Sequence, residues 1–191
     1  FLSLFVSVKH CNFTKKEVVE AEYNYLLSGK GESVIFWQID QLERVRSGKI
    51  MDYNSTTGKR IKDKDGKSHI SWMHKQPYNL KQCLFGLHLT KEDKVKTIAI
   101  VESEKTAIIM SIYVPDFLWL ATGSKSGFKI EYLCMIKSRK IIGFPDKGCF
   151  QEWKEKSEDL NAFGYNIEIS DIIEKSNCEE GLDIAGLYLK L

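Results

Sequence analysis

Residues 98 to 107 read Ile98-Ala99-Ile100-Val101-Glu102-Ser103-Glu104-Lys105-Thr106-Ala107. A short apolar run rich in β-branched residues calls for a strand buried in a sheet, and the chain turns from it at once into a helix over Ser103 to Tyr113. Carboxylates at the carboxyl end of such a strand stand where open α/β sheets keep their ligands, so Glu102 is the first candidate functional residue. Glu104 reads as an ordinary first-turn acid, favourable with the helix dipole.

Working outward, the same alternation repeats. Pro115 follows the helix, strand Phe117 to Ala121 comes next, and a glycine-flanked loop runs from Thr122 to Gly127. A short helix starts at Ile130. Strand Lys140 to Phe144 ends in Pro145-Asp146-Lys147-Gly148, and helix Cys149 to Phe163 carries Phe150, Trp153, Leu160 and Phe163 at helical spacing before Gly164. Strand Tyr165 to Ile169 ends at Ser170-Asp171, with helical pieces to the terminus. Strands alternating with helices imply a parallel sheet covered by helices.

Parallelism has a geometric consequence. The residues that follow each strand, Glu102, Gly123 to Lys125, Asp146 and Asp171, must gather along one sheet edge. That edge offers acids for a divalent cation, Lys125 for an anionic group, and a loop around Gly123 whose backbone can approach a phosphate. Phosphate chemistry fits this set better than acyl transfer.

Upstream, residues 1 to 30 read as helical, with Thr14 as N-cap, a periodic series through Val18, Val19, Ala21, Tyr25 and Leu26, and an end near Gly29. The period then changes. Val34 to Asp40 and Arg44 to Tyr53 read as strands, followed by the turn-rich Asn54 to Ser68 and a strand at His69 to His74. Three units are therefore expected: an N-terminal helical segment over 1–32, a small basic β-rich unit over 33–94 and an α/β unit over 95–191.

A chain of 191 residues is long enough to bury a full core. Its apolar stretches fall short of a bilayer span and Phe1 to Val8 lack the features of a signal peptide, so a soluble, cytoplasmic protein with no membrane partner is expected. Beginning without Met, it reads as a piece of something longer. The scattered Cys11, Cys83, Cys134, Cys149 and Cys178 argue for reduced thiols, and His10, His69, His74 and His88 build no zinc spacing.

Charge is unevenly spread. Bases dominate between Arg44 and Lys81, whereas acids dominate from Cys149 onward, and the run from Asp171 to Asp183 reads as a solvated acidic face. Within the basic tract Tyr53, Trp72 and Tyr78 are placed to stack on bases while Arg44, Arg46, Lys49, Arg60 and Lys75 neutralise phosphates; the alternative is a solvated lysine-rich turn. Phe36 and Trp37 are assigned to the core.

Val101-Glu102-Ser103-Glu104-Lys105 resembles the opening signature of the Toprim domain shared by topoisomerases, bacterial primases and related nucleases, and Ala121-Thr122-Gly123-Ser124-Lys125 resembles its next loop. The third mark of that family is an Asp-x-Asp. Here Phe144-Pro145-Asp146-Lys147-Gly148 supplies the first Asp and puts Gly148 in place of the second. The chain is also similar to primase-related, Toprim-like proteins of bacterial mobile elements. Phe36 to Asp40, Ser47 to Met51 with Tyr53-Asn54, Thr57 to Arg60, Gln82 to Gly86, Val101 to Ala107 and Gly181 to Ala185 carry that likeness.

The resemblance implies a Toprim-like α/β fold and nucleic-acid-directed phosphoryl or nucleotidyl transfer of primase type, in DNA replication or mobile-element maintenance. It implies Glu102 and Asp146 as catalytic acids, with Mg²⁺ or Mn²⁺ held by Asp146, Glu102 and, from topology, Asp171. Lys105, Gly123 and Lys125 would bind phosphate. Single-stranded DNA or RNA, nucleotides, and a helicase or an upstream zinc-binding domain are the implied partners. Two other readings stay open: a catalytically degenerate module that binds nucleic acid or a replication partner, and a nuclease using the same acids.

Overall fold

The computed structural model describes residues 14–30, 33–54, 57–75, 77 and 79–189, without the side chains of Lys15 and Lys30. The first part of the expected N-terminal helix, with His10 and Cys11, and the stacking candidate Tyr78 lie outside these residues. Helix α1, Lys15–Asn24, starts in a capping box, where the Thr14 hydroxyl accepts from the Glu17 N–H and the Glu17 carboxylate accepts from the Thr14 N–H. It ends earlier than the periodicity predicts. Leu26 takes a positive φ, and Ser28–Lys30 forms strand β1, antiparallel to β2 (Ser33–Ile39), where the sequence reads as continuing helix.

Strands β2, β3 (Val45–Asp52) and β4 (Ile70–Trp72) complete a four-stranded antiparallel sheet in the order β1-β2-β3-β4. Asp40 organises the β2–β3 turn: its carboxylate accepts the backbone N–H groups of Leu42 and Arg44, and the guanidinium groups of Arg44 and Arg46 at 2.9 and 2.7 Å. Gly48 in β3 lies under the Trp37 ring, and a Cβ there would come within 2.8 Å of it.

The second sheet is wholly parallel. Strands β5 (Ile98–Val101), β6 (Leu118–Ala121), β7 (Lys140–Gly143) and β8 (Asn166–Ile169) lie in the order β6-β5-β7-β8. The β5 side chains are fully buried, as an apolar run without alternation requires. Helices α2 (Glu104–Tyr113), α3 (Ile130–Leu133), α4 (Phe150–Ala162), α5 (Ile172–Lys175) and α6 (Ile184–Leu189) supply the connections and the C-terminal end. These bounds agree with the sequence expectation to within a residue or two.

Two apolar clusters sit on the faces of this sheet. One places Phe128 against Trp153 of α4, rings stacked at 4.2 Å. The other runs across both sheets: Phe36 of β2 meets Phe85 edge-on at 5.7 Å, Tyr25 of α1 stacks on Phe85 at 5.2 Å, and the Tyr25 hydroxyl donates to the Trp119 carbonyl. This continuity holds the antiparallel sheet against the carboxyl ends of the parallel strands. No helix among the described residues is long and apolar enough to cross a membrane.

Candidate acidic site at the strand ends

Glu102 follows β5 directly, and Asp146 lies in the turn after the neighbouring β7. The two strand ends are tied by the Phe144 N–H, which donates to the Ile100 carbonyl at 2.8 Å. Only 9% of Glu102 is exposed, and its Oε1 has no hydrogen-bond partner among the described residues; Asp146 Oδ1 is in the same state. Burying a carboxylate without donors disfavours its charge. Burial accordingly raises the Glu102 carboxyl, which the Cys149 thiol, the Asp146 N–H and Lys125 partly offset. Asp146 is pushed up to about 7, by burial first, then by the negative charges of Glu102 and Asp183, with Arg60 opposing.

Asp183, just before α6, is the acid that sequence reasoning missed. Its carboxylate accepts the Thr106 hydroxyl from the first turn of α2 and the Gly186 N–H at 2.7 Å. The acidic run was expected to be a solvated face; its last member is instead anchored beside the β5 strand end. The one available signal was its place in Gly181-Leu182-Asp183-Ile184-Ala185. Thr106 had the same kind of signal, its place in the stretch from Val101 to Ala107.

Above these acids lies an open cavity of about 820 Å³, bordered by Tyr53, Arg60, Ser103, Lys105, Asp146 and Asp183. Arg60 donates to the Ser103 hydroxyl at 3.2 Å. Lys105 donates to the Gly58 carbonyl at 2.7 Å and stands 5.6 Å over the Tyr53 ring; burial lowers its pKa, with Asp183 opposing. The basic unit therefore overhangs the acidic edge, with cations facing acids across one cavity.

Other expected site residues are distributed differently. Gly123 adopts φ +79°, and its N–H donates to the Glu102 carbonyl at 2.9 Å, so it supports the strand end. Lys125 is exposed and pairs with Glu152 at 3.3 Å, a pairing that raises its pKa. Asp171 does not join Glu102 and Asp146: it is half exposed and paired with Lys175 at 2.7 Å, while Asp183 occupies the third corner. Lys49 lies elsewhere than the surface position expected of it. It is 5% exposed and bound to Glu104 and the Gly123 carbonyl, because β3 packs its inward face on the acidic edge. Glu104, read from sequence as an ordinary first-turn acid, is buried with it.

Arg44 and Arg46 are held by Asp40, at the far end of β3 from the cavity; eight residues of strand separate the ends by roughly 25 Å. Trp72 and Lys75 are exposed at and beyond the edge strand β4. Among the described residues, Arg60 and Tyr53 are the predicted nucleic-acid contacts that border the cavity. Gly148 has φ +85°, donates its N–H to Glu174 at 3.0 Å, and a Cβ there would run into the Glu180 carboxylate. The left-handed backbone strains an acid at this position, and the Glu180 side chain would have to move aside for it.

Two orphaned carboxylate oxygens, one acid shifted to about 7 and a neighbouring third carboxylate suit a hard divalent cation. Among the described residues no three metal-ligating side chains are close enough to form a ready cage. Mg²⁺ often needs none, since it takes one or two carboxylates and completes its shell with water and substrate phosphates.

Solved structures with a similar fold are primase domains. The chain is similar to the primase fragment of the bacteriophage T7 primase-helicase protein (TM-score 0.58, 15% identity, 90% of this chain and 64% of that one). It is similar also to the RNA polymerase domain of Mycobacterium tuberculosis primase DnaG (TM-score 0.57, 15% identity, 94% and 59%) and to a DNA primase domain from Pseudomonas aeruginosa (TM-score 0.50, 15% identity, 94% and 56%). It thus spans about three fifths of the length of these structures, and identity this low shows the fold alone. In sequence the chain belongs to the family described as "Domain of unknown function (DUF6371)", which matches residues 3–147, including Glu102 and Asp146 but not Asp183. No curated protein matches it.

Proposed function

We propose that this protein is a Toprim-type, primase-related module that performs divalent-metal-dependent nucleotidyl transfer on single-stranded nucleic acid. The observation that carries this reading is that Glu102 and Asp183 lie near enough to Asp146 to raise its pKa, while Arg60 and Lys105 border the same cavity as Asp146 and Asp183. Asp146 and Glu102, with Asp183 beside them, would hold Mg²⁺ or Mn²⁺, which when bound neutralises charge on a transferring phosphoryl group and aligns the attacking and leaving oxygens. Arg60 and Lys105 supply positive charge where a nucleotide's phosphates would enter. Glu102, with a carboxylate oxygen lacking a donor, is suited to take a proton from an attacking hydroxyl. Tyr53 closes the cavity floor under Lys105.

DNA or RNA and nucleotides are the proposed partners, together with a helicase or a zinc-binding domain upstream, in replication or mobile-element maintenance. The test is synthesis on a single-stranded template with nucleotides and Mg²⁺ or Mn²⁺. Product should form with the parent chain and fall at least about 100-fold in Glu102→Gln, Asp146→Asn and Asp183→Asn. A parent chain that makes no product with any upstream domain restored would reject the reading.

A second reading rests on Gly148, whose left-handed backbone at φ +85° strains any acid placed there. It is a degenerate module that binds single-stranded nucleic acid without turnover. Binding unaffected by the three substitutions, with neither synthesis nor cleavage, would favour it. Cleavage lost in all three would mark the nuclease instead, since water can replace the hydroxyl at the same acids.

A further inference from the structure

Glu102 and Glu104 stand two residues apart and have opposite surroundings. Glu102 keeps an unpartnered oxygen at the acidic edge, whereas Glu104, 1% exposed on the first turn of α2, lies 3.1 Å from the Lys49 ammonium. Lys49 also donates to the Gly123 carbonyl at 2.7 Å, and the Gly123 N–H donates to the Glu102 carbonyl at 2.9 Å. A closed ring results: from the Glu102 carbonyl through Gly123 to Lys49, on to the Glu104 carboxylate, and back along the chain to Glu102.

The ring has little freedom. Gly123 sits at φ +79°, and a Cβ there would come within 3.0 Å of Glu104 Oε1. Both charged side chains are almost wholly buried, at 6% and 2% exposure. Burying an ion pair is a poor source of stability, because well-packed apolar residues do as well or better. What the pair supplies is direction. Lys49 belongs to β3 and Glu104 to α2, so the ring also fixes the antiparallel sheet, with Tyr53 and Arg60 at its far end, over the strand ends that carry Glu102 and Asp146.

We propose that Lys49 and Glu104 are positioning residues, which hold the Glu102 strand end and the overhanging basic unit in the geometry that binds a divalent cation. The cation-binding part rests on the function proposed above; the positioning part does not. Residues that orient metal ligands typically control affinity 10- to 100-fold without touching the ion.

The test uses the full chain, its Lys49→Met and Glu104→Gln variants, and the double variant Lys49→Met/Glu104→Leu. Free Mn²⁺ is followed by electron paramagnetic resonance, the Gly123 amide by hydrogen exchange, and folding by thermal unfolding. Lys49→Met should weaken Mn²⁺ binding at least about tenfold and speed Gly123 exchange by a similar factor. The double variant, with no buried charge left unpaired, should recover the thermal midpoint and keep both defects. Recovery of Mn²⁺ affinity along with the midpoint would show a merely structural pair and overturn the proposal, as would unchanged Gly123 exchange in Lys49→Met. A parent chain that binds no Mn²⁺ would reject the metal-dependent function, while Gly123 exchange would still decide whether Lys49 positions the strand end. Single-stranded DNA binding should keep its salt dependence in Lys49→Met; a fall of about one in the slope would make Lys49 a phosphate contact instead.

Discussion

Burial and the nearby acids hold the Asp146 carboxyl at about 7, against 3.8 for the free group. Between those values the folded chain keeps a proton that the unfolded chain has released, so this group makes stability fall as the pH rises, with the loss complete above about 7. Asp146→Asn should therefore flatten the decline and exceed the parent in stability at pH 8 by about 2 kcal/mol, measured by urea unfolding at pH 5 and pH 8. Identical slopes in parent and variant would refute the shift. Asp40 has the opposite sign. Burial works against its charge, but the Arg44 and Leu42 N–H groups and the Arg44 and Arg46 side chains outweigh it and hold the carboxyl at about 2. Its contribution is present above the ordinary 3.8 and is lost as the pH falls towards 2. Asp40→Asn should cost about 1–3 kcal/mol at pH 7, a deficit that narrows in unfolding curves recorded near pH 3.

The element that most changes the reading of the site is the turn after β7. An Asp-x-Asp pattern would put a second carboxylate at position 148, yet the backbone there is left-handed and the Glu180 carboxylate occupies the space a Cβ would need. Gly148→Asp should consequently destabilise the chain by about 1–3 kcal/mol and bring no gain in Mn²⁺ affinity. Thermal unfolding and a metal titration of the same sample check both halves; a stable variant with tighter Mn²⁺ would mean that the turn can reorganise. In α4, truncating the fully buried Trp153, stacked on Phe128, should cost about 3–5 kcal/mol in denaturant unfolding, because the cavity opens in the core behind the same strand ends.

At the scale of the molecule, the proposed function depends on one sheet overhanging another. The parallel sheet brings Glu102 and Asp146 to its edge; the antiparallel sheet delivers Arg60 and Tyr53 over them through the shared packing of Phe36, Phe85 and Tyr25. If the cavity receives nucleic acid or nucleotide phosphates, Arg60→Ala and Lys105→Ala should each weaken single-stranded DNA binding and lower its salt slope by about one. Arg44→Ala should leave the slope unchanged, since Arg44 is held by Asp40 at the other end of β3. Fluorescence anisotropy at several salt concentrations separates these outcomes, and an equal effect from Arg44 would move the binding surface away from the cavity.

The local pattern of residues was enough for the parallel half of the fold. A run such as Ile98 to Val101 has no stable place except between covered faces, and alternation of strand and helix forces strand ends to one edge, so Glu102, Gly123 and Asp146 were legible there. The nearby end of α1 was less so, because Ser28–Lys30 becomes a strand only through pairing with Ser33–Ile35. The basic tract showed which residues carry charge but not where each charge goes. Lys49 turned inward to Glu104, Arg44 and Arg46 were taken by Asp40, and of the predicted basic contacts among the described residues Arg60 reached the cavity. Asp183 was hidden for the same reason: its anchor on Thr106 joins residues far apart in the chain, and such a contact leaves no periodicity to read. Strand burial follows from what neighbouring residues can tolerate, whereas the pairing of distant charges depends on where the packed sheets bring them.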